Sequence, residues 1–405
     1  MILTNNQPSS ENNTVRKNVA LKLALLWIVA SIAGLLIDVA PIEASLIDHH
    51  YVPVGADSFY HARRILDTAA DPSAFYQFDT RTHVPEGNLI TWPWLYDYGM
   101  ALITRGAIGL GLSDDPMAVL VHIPVFMFPL TLLVMIMLCR TLALSLPATA
   151  LALAGTVLFP NNQGLYSIGN IDHHFAEHLL VLATLTAALA WLKQPAARWR
   201  AAAIGILLGL APGVHSAAFI LQVPLLVALA AGWLRGRPLP ATTPVFVAAL
   251  VTSTLAVALP SLALREGRFE YVTLSWFQVY IACCSSAMAI ALWRVRCSPR
   301  STIVAVLLVA VLLLPVLGEA WFASRFFTAS VGDMREISEV QSPLELWRSG
   351  ASVTYLAGMY SYLLFIAPLM EPSLPGTARL TCTVPPGLDP LMGGAAPAGS
   401  SDRDQ

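Results

Sequence analysis

Three short segments of this sequence concentrate the residue types that bind cations and carry charge. The first is Gly55-Ala56-Asp57-Ser58-Phe59-Tyr60-His61-Ala62-Arg63-Arg64 and the second Asn170-Ile171-Asp172-His173-His174-Phe175-Ala176-Glu177. The third is Arg335-Glu336-Ile337-Ser338-Glu339-Val340-Gln341. Asp172 and His174 stand at i and i+2, a spacing that turns both side chains to one face of an extended loop. A carboxylate beside an imidazole suits a divalent cation such as Mn2+ or Mg2+. The same residues have a plainer use: Asp172, just ahead of an apolar run, could cap a helix, with Glu177 in the favourable field of its first turn. The two uses are compatible. Asp57 and Glu339 read singly as surface carboxylates and gain meaning only if they share a side of the molecule with Asp172. Arg63, Arg64, Arg325 and Arg335 could pair with a phosphate-bearing lipid headgroup. Arg64 and Arg335, with His173 beside the triplet, are the candidate substrate contacts.

These segments must be held by apolar elements, because little else is available. Hydrophobic residues make up 56% of the 405 and charged residues 12%, against roughly 45–50% apolar and 25% charged in soluble domains. Apolar runs long enough to cross a bilayer recur near 19–39, 116–139, 146–161, 175–192, 201–214, 216–234, 242–262, 274–293, 301–318 and 352–370. Pro212 and Gly213 must interrupt what would otherwise be one helix over 201–234. The first run follows Arg16, Lys17 and Lys22 with no small-residue cleavage site after it, so it reads as a retained signal anchor.

Lys and Arg sort the loops. Arg16, Lys17 and Lys22 precede the first run; Arg140 follows the second; Lys193, Arg198 and Arg200 follow the fourth. Arg235 and Arg237 follow the sixth, and Arg294, Arg296 and Arg300 the eighth. Every second junction is basic, as cytoplasmic loops require. The outer side then receives 40–115, 162–174, 263–273 and 319–351, and with them all three clusters. The stretch 94–112 is apolar but carries Asp97 and Arg105. As a crossing it would invert every later loop, so it is expected to be an amphipathic helix on the outer surface.

The expected fold is therefore an all-α polytopic membrane protein of about ten transmembrane helices, with a large first outer loop and a long fifth one. Residues 1–18 would be the cytoplasmic N-terminus, 19–371 the membrane domain, and 372–405, rich in Pro, Gly, Ala and Ser, a disordered tail. The five cysteines show no CxxC spacing and read as structural. The net charge of −2 and the absence of a basic surface argue against nucleic acid as a partner. Few ionisable residues lie inside the runs, which counts against a transporter or lipid-carrier flippase.

In order along the chain, four features resemble the catalytic subunit of oligosaccharyltransferases, membrane glycosyltransferases of the C-type fold. Asp57 in GADSFYHARR is similar to that family's first-loop Asp. Val84-Pro85-Glu86-Gly87-Asn88-Leu89-Ile90-Thr91-Trp92-Pro93 resembles its Y-P-x-G…P-P segment. Gly169 to Glu177 resembles the second acidic motif in its D-x-H form, and Glu336-Ile337-Ser338-Glu339 the S-V-S-E or T-I-x-E motif. The resemblance covers roughly 15–371. It implies transfer of a glycan from a polyprenyl-diphosphate carrier to an asparagine side chain, on the periplasmic or extracellular face of the inner (plasma) membrane. By the resemblance, Asp57, Asp172, His174 and Glu339 would ligate the divalent metal, and Asp57 with Glu339 would orient the acceptor amide. Members of the family continue into a soluble domain with a W-W-D-x-G motif; this sequence holds none and is expected to be a form truncated ahead of that domain. Another C-type transferase, moving a sugar or glycan to a lipid or polysaccharide, would share the fold and the first-loop Asp.

Overall fold

A computed structural model describes residues 10–330, and within them the chain is mostly helical. Thirteen helices follow in order: α1 (Ser10–Val39), α2 (Ala56–Ala70), α3 (Trp94–Gly109), α4 (Pro116–Thr141), α5 (Leu146–Leu158), α6 (Pro160–Tyr166) and α7 (His174–Lys193). Then come α8 (Arg198–Val214), α9 (Gln222–Leu234), α10 (Thr243–Ala258), α11 (Leu262–Arg265), α12 (Trp276–Arg294) and α13 (Pro299–Ser330). Two antiparallel hairpins of two-residue strands interrupt the segment between α1 and α3. β1 (Leu46–Ile47) pairs Leu46 with Tyr51 of β2 (His50–Tyr51), and β3 (Phe78–Asp79) pairs Phe78 with Leu89 of β4 (Asn88–Leu89).

Six segments are long and apolar enough to cross a membrane: Lys17–Val39, Pro116–Thr141, His174–Lys193, Ser216–Leu234, Trp276–Arg294 and Pro299–Glu319. They coincide with six of the expected runs and make this a multi-pass membrane protein. Three further runs are helices, but α5, α8 and α10 have 13, 17 and 16 residues, short of the roughly 20 that span the hydrocarbon core. The run at 352–370 and the tail at 372–405 lie outside the described residues, as do Glu339 and Arg335. In α1, Leu21, Leu25, Ile28, Ile32 and Leu36 form an exposed apolar stripe at helical spacing, which suits a lipid-facing surface.

Local sequence sets the helix starts. Asp115 accepts from the Met117 amide at 2.9 Å, with Pro116 at the first position of α4. Ser275 and Gln278 form a capping box at the head of α12. The break after α8 falls at His215, just past Pro212 and Gly213, with a 3-10 turn over Ser216–Leu221 leading into α9. The structure places α3 differently from a helix lying free on a surface. Tyr96, Asp97, Ala101 and Thr104 form a buried face, and Arg105 donates to the carbonyls of Ala69 and Ala70 at the C-terminal end of α2.

Two cores result. One, built from α1–α7, gathers Ile65, Tyr96, Leu120, Phe128, Leu132, Tyr166 and Phe175. The other gathers Trp191, Ile204, Leu208, Phe246, Leu250 and Ala289 from α7, α8, α10 and α12. The second depends on Gly205 and Gly209, a G-x-x-x-G pair on α8. A Cβ on Gly205 would lie 2.5 Å from the Phe246 carbonyl oxygen, and one on Gly209 2.7 Å from that of Leu250. Small residues let the two backbones meet, the usual basis of close helix contact in membranes.

Candidate functional site

The loop 167–173 carries the D-x-H triplet, and its own backbone pins it. Ile168 N–H donates to Asp38 O at 2.9 Å, Gly169 N–H to Val121 O at 2.9 Å, and Val54 N–H to Gly169 O at 2.8 Å. Gly169 has φ +82, where a side chain would be strained, and a Cβ there would lie 2.0 Å from Ser45 Oγ. The α2 helix adds Ser58 Oγ, which accepts from Ile171 N–H at 3.0 Å, and α3 adds the Tyr96 hydroxyl, which donates to Ile171 O at 2.6 Å. The triplet is thus fixed from three directions.

Asp172 does not cap α7. The capping position is His173, without a side-chain cap bond, and the Asp172 carboxylate accepts from the adjacent His173 N–H at 2.7 Å. Its oxygens consequently face imidazoles. Asp172 Oδ2 lies 3.3 Å from His174 Nε2, and Oδ1 lies 2.7 Å from His173 Nδ1 and 3.8 Å from His61 Nε2. Burial opposes ionisation of Asp172, but the imidazoles of His173, His174 and His61 prevail and hold its carboxyl down at about 2. Burial pushes the His173 imidazole below its usual value despite Asp172 beside it. Neither ring nitrogen of His173, which is 4% exposed, is aligned for a hydrogen bond.

Glu177, one turn into α7, is likewise absorbed by side chains. Its Oε2 accepts from His174 Nδ1 at 2.8 Å, and its Oε1 bonds His215 Nδ1 at the break after α8. The rings of His173 and His215 are 4.9 Å apart, and those of His173 and His174 4.5 Å. Among the described residues, two groups have ligand atoms close enough to share an ion, His61–Asp172–His173 and His173–Glu177–His215. They meet at His173.

Beneath them lies a charged cluster. Asp97 on α3 accepts from His61 Nδ1 at 2.7 Å through Oδ1 and from Arg64 Nη1 at 2.7 Å through Oδ2. Arg64 also donates to Tyr76 O at 3.2 Å and Trp92 O at 3.3 Å, and its guanidinium stacks over Phe75 at 4.5 Å. All three side chains are buried. Arg64, expected at a headgroup, is instead fully enclosed and paired with Asp97. Asp57 stands exposed in the first turn of α2. It falls in neither close group, although it lies one turn before His61. Of the expected residues, the structure brings together Asp172, His173 and His174.

Sequence reasoning passed over His61, Asp97 and His215. A readable signal existed for two of them. His215 is the sole titratable residue in 201–234, and Asp97 the sole acid in the apolar stretch 94–112; an isolated ionisable group in such surroundings marks a site.

No protein-family model matches this chain, and no curated protein does. Solved structures do. It resembles the archaeal oligosaccharyltransferase AglB from Archaeoglobus fulgidus in complex with an inhibitory peptide and a dolichol-phosphate. That match has TM-score 0.61 and 19% identity, and covers 76% of this chain and 38% of the other. The Archaeoglobus fulgidus enzyme in complex with Zn and sulfate gives TM-score 0.59 at 19% identity, covering 87% of this chain and 46% of that one. The form tethered to an acceptor peptide containing the NVT sequon gives 0.57 at 18%, covering 86% and 37%. This chain therefore spans less than half the length of those proteins, and over that span its fold is the fold of an oligosaccharyltransferase catalytic subunit.

Proposed function

We propose that this protein transfers a glycan from a polyprenyl-diphosphate carrier to an asparagine side chain of a protein acceptor, on the outer face of the membrane. The observation that carries the proposal is the gathering of His61 with Asp172 and His173, and of Glu177 and His215 with His173, at the head of α7, within an oligosaccharyltransferase-like fold. Two points support the donor class: one solved relative is bound to a dolichol-phosphate, and the site sits at the end of apolar helices, where a lipid-borne headgroup would arrive.

The residues present fit a divalent cation. Carboxylates and imidazoles are mixed, and buried ring nitrogens of His61 and His173 lack hydrogen-bond partners. Asp172 and His174, with Asp57 and Glu339, would hold it, and its chemistry would be Lewis-acid stabilisation of the departing diphosphate. Asp57 and Glu339 would also orient the acceptor amide for attack on the anomeric carbon. His173, with Arg335, would contact the donor diphosphate. Arg64, enclosed beneath the site, would act through Asp97 and His61 without touching the donor.

The test uses the chain in liposomes with a polyprenyl-diphosphate-linked oligosaccharide and an asparagine-containing peptide. Glycopeptide should form, and Asp172→Ala or metal chelation should lower its rate at least 100-fold. Product that forms equally well in Asp172→Ala and under chelation would sink the proposal. Glycan found by mass spectrometry on a lipid or polysaccharide, with the peptide unmodified, would assign the other acceptor class.

A further inference from the structure

We propose that His61 is a nitrogen ligand of the divalent cation at Asp172, held for that role by Asp97 and Arg64. The inference rests on the metal-dependent reading above and adds a ligand that the resemblance does not assign.

One buried atom of His61 is unsatisfied. His61 is 1% exposed, and its Nε2 makes no hydrogen bond. Buried polar atoms are nearly always paired, so an orphan in a packed site calls for an absent partner. The other ring nitrogen settles what kind. Nδ1 lies 2.7 Å from Asp97 Oδ1, and a carboxylate in an ion pair with Arg64 can only accept, so Nδ1 carries the proton. In the neutral ring Nε2 then presents a lone pair, which is what a cation takes.

The distance from that atom to Asp172 agrees. Nε2 lies 3.8 Å from Asp172 Oδ1, beyond hydrogen-bond reach. Two ligands at roughly 2.0–2.2 Å from one ion can stand up to about 4.4 Å apart, so this separation accommodates a shared cation. Ligating histidines almost always donate their second ring nitrogen to a carboxylate, a backbone carbonyl or water, which fixes tautomer and ring orientation; here Asp97 takes that part. Arg64 Nη1 anchors the far oxygen of Asp97 at 2.7 Å, and the three residues sit on α2 and α3. A ligand mounted on helices holds its aim better than one on a loop.

With His61 included, the set holds at least two imidazoles, His61 and His174, where the resemblance supplies only one. Added nitrogen favours Mn2+, Co2+ or Zn2+ over Mg2+.

The experiment is Mn2+ binding to the full chain purified in detergent, followed by electron paramagnetic resonance, with pulsed measurements reading nitrogen nuclei coupled to the metal. His174→Ala leaves His61 untouched and so does not depend on how well a His61 variant folds. Nitrogen coupling should persist in that variant and fall when His61→Gln is added to it, leaving at most the share of His173. His61→Gln alone should weaken Mn2+ about 10–100-fold, with its metal-free melting temperature as the control for folding. Coupling lost already in His174→Ala, coupling undiminished when His61→Gln is added, or an unchanged affinity in His61→Gln would each overturn the assignment. A wild-type chain that binds no Mn2+ would overturn the metal reading as a whole. Mn2+ binding indifferent to His61→Gln, with glycan transfer still abolished by Asp172→Ala, would remove only this inference.

Discussion

The half of the chain up to His173 and the half after it are packed on different chemistry. Every buried charged residue or histidine among the described residues, Asp38, His61, Arg64, Asp79, Asp97 and His173, lies in the first. Between His173 and the end of the described residues the buried polar residues are Ser, Thr and Gln alone. The second region gains its order from contact: the glycines of α8 against the backbone of α10, Trp191 stacked on Phe246, and hydroxyls returned to nearby carbonyls. The first keeps ions where lipid and protein would rather exclude them. Buried ions are costly unless paired, and apolar substitutes often do as well for stability. The gathering of His61, Arg64, Asp97 and His173 about Asp172 therefore points to a use in chemistry, while the second region serves as its frame.

The sharpest way to break that comparison is to unpair the cluster. Asp97→Ala would leave Arg64 enclosed with two backbone carbonyls as partners and would strip His61 Nδ1 of its acceptor. Removing one member of a buried ion pair costs about 3–5 kcal/mol, so unfolding in mixed detergent should occur at markedly lower denaturant. The surviving folded fraction should also bind Mn2+ more weakly. A variant as stable as the parent would show that the pairing of Asp97 does not hold the cluster together.

The frame can be tested by the opposite kind of change. Gly205→Val places methyl groups where the Phe246 carbonyl and the Leu250 amide already stand 2.5 Å and 2.9 Å from an ideal Cβ. Backbone atoms cannot swing aside, so α8 and α10 must separate. Overpacking of this kind costs about 1–3 kcal/mol. Mn2+ affinity of the folded protein should stay within about twofold of the parent, measured by the same titration. A large loss of affinity would mean that the two regions are coupled more tightly than their separate cores imply.

How much of this could be read beforehand follows the same division. Runs of apolar residues announce helices, and the basic junctions and the break near Pro212 and Gly213 sit in local sequence, so the helical frame was legible. Asp172 and His174 were legible because they are neighbours in the chain. Asp97 and His61 meet across 36 residues, and Glu177 and His215 across 38; periodicity carries no information about such pairs. Arg64 was misjudged for a related reason. An arginine in a loop-rich segment reads as solvated, and only the buried carboxylate opposite it turns it inward. The helix lengths of α5, α8 and α10 also escaped reading, because hydropathy marks an apolar stretch but not where its backbone hydrogen bonding stops.

The smallest effect should come from the hydrogen bond that closes the second core. Trp191 is fully buried, and its indole Nε1 donates to Thr242 Oγ1 at 2.8 Å, while that hydroxyl donates onward to Pro195 O at 2.7 Å. Trp191→Phe keeps an aromatic face against Phe246 but deletes the donor. Thr242 retains its own donated bond, so no buried hydrogen is orphaned, and the loss should approach the net value of one neutral hydrogen bond, about 1 kcal/mol. The smaller ring adds a void that neighbouring alkyl groups such as Ile204 and Leu208 are placed to relax into. A modest fall in unfolding midpoint is therefore expected, with Mn2+ affinity and nitrogen coupling unchanged. If this substitution shifted the metal signal as Asp97→Ala is expected to, the second region could no longer be called a frame, because a neutral contact far along the chain from Asp172 would be acting on the ion.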